Sequence, residues 1–185
     1  MEMEKVVTPL GRVLLERRQA QLEKVILESQ ERLAELNQGD PGEGYQDGYL
    51  LDSQMNVQML ERRLRDVKEV LRGAQVAERP KQSDVIALGH QVHLSLTYPS
   101  GETEELTVVL LPSQELSLVE GELLSGEVPV SPISALGTAI LGKAAGSTFQ
   151  YGVNHGTVEG KVLGIGVWQR AFEPLDLADL QSTNP

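Results

Sequence analysis

Two long stretches in the first half of the chain repeat apolar residues at steps of three, four and seven. In the first, Leu15, Leu22, Ile26, Leu33 and Leu36 carry the pattern, with Ser29 filling one of its positions. In the second, Leu50, Val57, Leu60, Leu64, Val67 and Leu71 follow it almost strictly. Such spacing lays a single apolar seam along a helix. Two seams of similar length, joined by a glycine-rich link, predict an antiparallel coiled-coil hairpin. Thr8-Pro9 supplies an N-cap followed by proline at the first helical position. Arms of about 25 residues, rising ~1.5 Å per residue, would reach roughly 35–40 Å. A helical bundle within a globular domain is the alternative, and the absence of a second apolar face on these runs speaks against it.

Beyond Gly73 the period changes. Val92, Leu94, Leu96 and Tyr98 alternate, Pro99-Ser-Gly-Glu102 makes a turn, and Leu106 to Leu111 reads as the returning strand. Short strands are expected at Glu115–Val119 and Thr148–Val153. Asn154-His-Gly156 then turns the chain into a long run from Val158 to Trp168. Ala135 to Leu141 is the one helical segment of this half, bounded by Gly142. The expected fold is α+β: an N-terminal antiparallel coiled-coil hairpin over residues 1–76, a linker at 77–84, a small antiparallel β domain with one short helix over 85–170, and a tail at 171–185.

Composition narrows what this fold can do. Aromatic residues make up 4% of 185, so the core must come from Leu, Val and Ile. A net charge of -11 argues against broad binding to phosphate backbones and leaves room for a basic protein partner. With no cysteine, disulfides and thiolate metal sites are excluded. No segment has the ~18–20 consecutive apolar residues of a membrane span. The acidic start, MEMEKVVTPLG, does not read as a signal peptide, and a cytoplasmic protein is expected.

Charge is distributed unevenly along the hairpin. From Leu33 to Glu61 there is no Lys or Arg, while Glu35, Asp40, Glu43, Asp47, Asp52 and Glu61 fall in the same stretch. The far ends of the arms carry Arg12, Arg17, Arg18, Lys24, Arg62, Arg63, Arg65, Lys68 and Arg72. The acidic tip, residues 38–48, is therefore set at the end of a rod, an arrangement suited to delivering carboxylates into a positively charged or metal-bearing cavity. A solvated turn would use Gly, Asp and Pro as well. Asp40 and Glu43, with Asp47 four residues on, are too few to hold Mg²⁺ alone but enough to complete a site begun elsewhere. Their spacing does not fit an EF-hand loop. His90, His93 and His155 lack the context of a metal motif, Gly137, Gly142 and Gly146 lack the Lys-Ser/Thr ending of a phosphate loop, and no nucleophile–base pair is visible. A self-sufficient active site is not expected.

One long segment resembles a known signature. Val130-Ser-Pro-Ile-Ser-Ala-Leu-Gly-Thr-Ala-Ile-Leu-Gly-Lys-Ala-Ala-Gly146 is similar, without a gap, to the "I-S-x-x-S-P-L-G-x-A-L-L-G-K-x-x-G-D" of the bacterial Gre transcript-cleavage factors, with Ala135 for proline and Ser147 for aspartate. Phe149 to Ile165 resembles that family's closing hairpin, and Leu118-Val119 its preceding "I-V-G" strand. Thr8-Pro-Leu-Gly11 is similar to the opening "T-x-x-G", and Gly39-Asp40-Pro-Gly-Glu43 to "G-D-L-K-E-N-A-E-Y". The resemblance covers about residues 8–168.

It implies an FKBP-like globular domain that docks on RNA polymerase and a hairpin that enters the secondary channel. It further implies that the tip acids share the polymerase's Mg²⁺, with no cofactor bound tightly, and so stimulate cleavage of backtracked RNA. Asp40 and Glu43 fall on the family's functional acids, Asp47 near a later glutamate and Tyr49 near a tyrosine. Docking would fall to Ser134, Leu136, Gly137 and Gly142 of the signature. Pro41, Gly42 and Gly44 replace helix-compatible residues and would change the tip's shape. A related subgroup, the Gre-factor homologue inhibitors, carries an altered acid-rich tip and blocks the polymerase, so stimulation and inhibition both stand. Either way the chain modulates the polymerase rather than acting as an enzyme, meets RNA and DNA only indirectly, binds no membrane and is a monomer. Two other readings compete. A prolyl isomerase would need a pocket lined by Tyr98, Phe149, Tyr151, Trp168 and Phe172, and a coiled-coil adaptor would have an inert tip.

Overall fold

In the computed structural model the described residues are 6–37, 46–81 and 85–173, with the side chains of 36, 37 and 46–49 outside the description. The chain forms two compact units, Leu15–Ala74 and a second one assembled from Met1–Leu14 and Gln75–Pro185. Helix α1 runs Pro9–Asn37 and helix α2 runs Gln46–Gly73. The hairpin unit thus begins later than the expected 1–76. Val7, Leu10 and Leu14 are buried in the globular unit, so its core claims the first turns of α1.

The globular unit is built on a five-stranded sheet. Strands β3 (His90–Thr97), β4 (Thr103–Leu110), β5 (Glu127–Val130), β6 (Thr148–Val153) and β7 (Gly156–Val167) lie in the order β5-β4-β3-β7-β6. Pairing is antiparallel except at one edge, where β5 lies parallel to β4. A small parallel pair joins β1 (Val6–Val7) to β2 (Gln75–Val76), the residues just before α1 and just after α2.

Alternation along the strands sends side chains to two separate cores. Val92, Leu94, Leu96, Val108, Leu110, Phe149, Val158 and Val162 meet Ile140 of the short helix α3 (Ala135–Ile140) on one face. Val109 points the other way, into a cluster with Leu10, Leu14, Leu111, Val119, Trp168 and Ala171. The hairpin β3–β4, strand β6 and helix α3 fall where the residue pattern puts them. Glu115–Val119 does not form the expected strand: Ser113–Glu115 is a single 3-10 turn followed by further turns. Strand β5 has no counterpart in the sequence reading.

Candidate functional site

The seam of the hairpin is formed as its spacing predicts. Leu15, Leu22, Ile26 and Val57 are buried, and Ser29, Leu33, Leu50, Leu60, Leu64, Val67 and Leu71 are half-buried. Polar contacts also cross between the arms. Lys68 Nζ lies 2.8 Å from Glu23 Oε1, and Gln30 Nε2 donates to Glu61 Oε1 at 3.2 Å. From the first contact to the second each arm advances one heptad, in opposite directions, so the pairing is antiparallel. Hydrogen bonds from Lys68 and Gln19 hold the Glu23 carboxyl below its ordinary range.

Helices α1 and α2 place the acidic stretch between them. Asp40, Pro41, Gly42, Glu43 and Gly44 lie outside the described residues. Asp47 and Tyr49 belong to the first turn of α2, and their side chains also lie outside the description. The flanking acids Glu35, Asp52 and Glu61 are exposed. Among the described residues, no group of three or more His, Asp or Glu side chains could hold a metal ion.

The signature segment has a clear structural basis. Ser134 caps α3: its hydroxyl accepts from Gly137 N at 3.0 Å and donates to Ser131 O at 2.8 Å. Gly137 is buried, and a Cβ there would sit 1.9 Å from the Ser131 carbonyl oxygen. Leu136 packs on the main core. Gly142 turns the chain at φ +75° and donates its N–H to Ile86 O at 2.8 Å. Of the four residues expected to dock, Leu136 and Gly137 face inward, and Ser134 and Gly142 shape the turns around α3. Among the large hydrophobic side chains of this segment, Ile133 is turned to solvent, 68% exposed.

A second feature escaped the sequence reading. Glu115 is fully buried, and its two carboxylate oxygens accept from Thr8 N at 2.6 Å and from Thr8 Oγ1 at 2.7 Å. Thr8 Oγ1 in turn accepts from Gly11 N at 2.9 Å, closing the N-terminus of α1. Gln114 Nε2 adds a bond to Val6 O at 2.7 Å. Burial raises the Glu115 carboxyl from 4.5 to about 7, against the lowering effect of the two Thr8 bonds. A Cβ on Gly11 would lie 2.0 Å from the Glu115 carboxyl carbon. Thr8-Pro-Leu-Gly11 is thus a cap with room left for a carboxylate brought in from 107 residues away. Gly11 at the third helical position was the available signal, since an ordinary exposed helix favours alanine there.

The buried ends of this geometry coincide with the segments that suggested a family, and comparison with known proteins bears on the same point. The chain is 31% identical over 153 residues to the transcription elongation factor GreA of Mycolicibacterium smegmatis, covering 82% of this chain and 89% of that protein. It is 30% identical over 152 residues to the protein of the same name from Mycobacteroides abscessus, covering 82% and 88%. The chain belongs to the Gre family of transcription elongation factors. No family model matches it. Among solved structures, that of the transcription factor Gfh1 is similar at a TM-score of 0.40 and 25% identity, covering 88% of this chain and 97% of that one. Membership in the Gre family gives the opening Thr8–Gly11 and the 130–146 segment a common setting, and both serve here to build the globular unit. Among the described residues no helix is long and apolar enough to cross a membrane.

Proposed function

We propose that this chain regulates transcription elongation by binding RNA polymerase and passing its hairpin into the secondary channel, where the tip carboxylates stimulate cleavage of backtracked RNA. The observation that carries the reading is the run from Leu33 to Glu61, which has no basic residue and bears Asp40 and Glu43 between two long helices in a member of the Gre family. Asp40 and Glu43, with Asp47 nearby, would hold Mg²⁺ together with ligands of the polymerase. Bound there, Mg²⁺ supplies a Lewis acid and an activated water. The chain's own part is to bring in oxygen donors and negative charge, and the hairpin seam makes the arms stiff enough to carry them.

The reading is tested by adding the purified protein to backtracked elongation complexes with Mg²⁺. Shortening of the RNA 3′ end should accelerate, and Asp40→Ala with Glu43→Ala should abolish the acceleration. Slower extension without shortening would contradict cleavage and favour an inhibitor whose tip, shaped by Pro41, Gly42 and Gly44, occupies the channel. Absence of binding to polymerase would contradict both.

A further inference from the structure

Helix α2 has an outer face that its role in the hairpin does not use. Opposite the seam lie Leu51, 58% exposed, Met55, 60% exposed, and Met59, 48% exposed. These positions of a two-helix coil are ordinarily charged, and the sequence reading expected no second apolar face. A groove of about 550 Å³ runs along this face, lined by Asp52, Met55, Asn56, Gln58, Met59 and Arg62.

Asp52, Met55, Met59 and Arg62 are spaced three, four and three residues apart, the step of a second heptad seam. The four are also symmetric about position 57. When two such helices pack antiparallel with that position on a two-fold axis, Met55 of each copy meets Met59 of the other. The neighbouring layers then bring Asp52 of each copy against Arg62 of the other. The sign of charge is complementary at both ends of the apolar pair, and the same patch serves both copies, as a two-fold interface requires. Neither Asp52 nor Arg62 has an ion pair within the chain among the described residues. Leu51 falls opposite Arg63, whose guanidinium already leans on Met59 Sδ at 3.9 Å, and whose stem can cover it.

We propose that this face of α2 is a self-association surface, on which two copies of the chain pair antiparallel through Met55 and Met59 with Asp52 and Arg62 closing each end. The apolar layers are two, so the interface falls short of the ~800 Å² per partner typical of a stable complex and the dimer is transient. Dissociation constants on the order of 10–100 μM fit an interface of that size. The expected monomer is then the form at low concentration.

Sedimentation velocity of the full chain, without polymerase, across that concentration range tests the proposal. The weight-average mass should rise toward that of a dimer. Asp52→Arg places like charges in both outer layers, and so does Arg62→Asp. Each should weaken association about tenfold or more. An equimolar mixture of the two variants should restore it, because every outer layer then holds one acid and one base. Met55→Glu with Met59→Glu should abolish it while helical circular dichroism stays unchanged, since both side chains point to solvent. A monomer at every concentration would overturn the proposal. So would dimers that survive both single charge reversals, or a mixture that remains monomeric. A Met55/Met59 variant that loses polymerase binding while the parent never self-associates would assign the face to another partner and overturn it too.

Discussion

The two units handle polar groups in opposite ways. The globular unit takes Thr8, His90, Glu115 and Ser131 into its interior and gives each a partner. Glu115 is the extreme case, a carboxylate carried into a low-dielectric site because a helix N-terminus there has N–H groups to satisfy. Among the described residues the hairpin fully buries only apolar side chains and leaves most of its charges in water, where pairs such as Glu23–Lys68 are screened. Buried, hydrogen-bonded polar groups therefore hold structure together in the first unit, while in the second the charges are free to face a partner.

The contrast can be broken most severely at Gly137. Alanine there meets a backbone carbonyl that cannot turn aside, so Gly137→Ala should destabilise the globular unit by about 3 kcal/mol or more in urea unfolding. Next comes the pH dependence tied to Glu115. Its carboxyl titrates near 7 when folded and near 4.5 otherwise, so the folded state binds more protons between those values. The group's favourable contribution is full below about pH 4.5 and is lost as pH rises through about 7. Relative to Glu115→Gln, which does not titrate and can still accept from Thr8 N while its amide nitrogen donates to Thr8 Oγ1, the parent should lose on the order of 2–3 kcal/mol of stability across that window. A constant difference between the two proteins would contradict the burial of an ionisable group.

On the hairpin side, Leu22→Ala removes a buried seam residue and should cost about 2–3 kcal/mol, read as an earlier loss of helical signal on heating. Lys68→Ala should change stability least, and the change should vanish at high salt. A larger effect would mean that hairpin charge also holds structure, and the distinction between the units would fail.

The same contrast explains what could be read from the residues. The heptad seam and the β3–β4 hairpin rest on periodicity within short windows, and both are visible in the spacing of Leu, Val and Ile. Strand β5 pairs parallel to β4 across an intervening segment that includes Glu115, and it contains Pro129, which reads as a breaker. The segment Glu115–Val119 alternates like a strand, yet its conformation is set by a contact with Thr8, far away in sequence. The signature motif does not say which of its glycines face solvent; the close approach to the Ser131 carbonyl shows that Gly137 does not. The Met55–Met59 face is not legible in the sequence, because two methionines among polar residues do not raise the apolar count of a long helix.

The proposed function requires the tip between α1 and α2 to reach the catalytic centre of RNA polymerase. The chain has no native cysteine, so Gly44→Cys provides a single attachment point for a short photoactivated cross-linker in stalled elongation complexes. Adducts should form with the polymerase segments that hold the catalytic Mg²⁺ and with the 3′ end of backtracked RNA. Adducts confined to the outer surface of the polymerase, at saturating protein, would contradict the account.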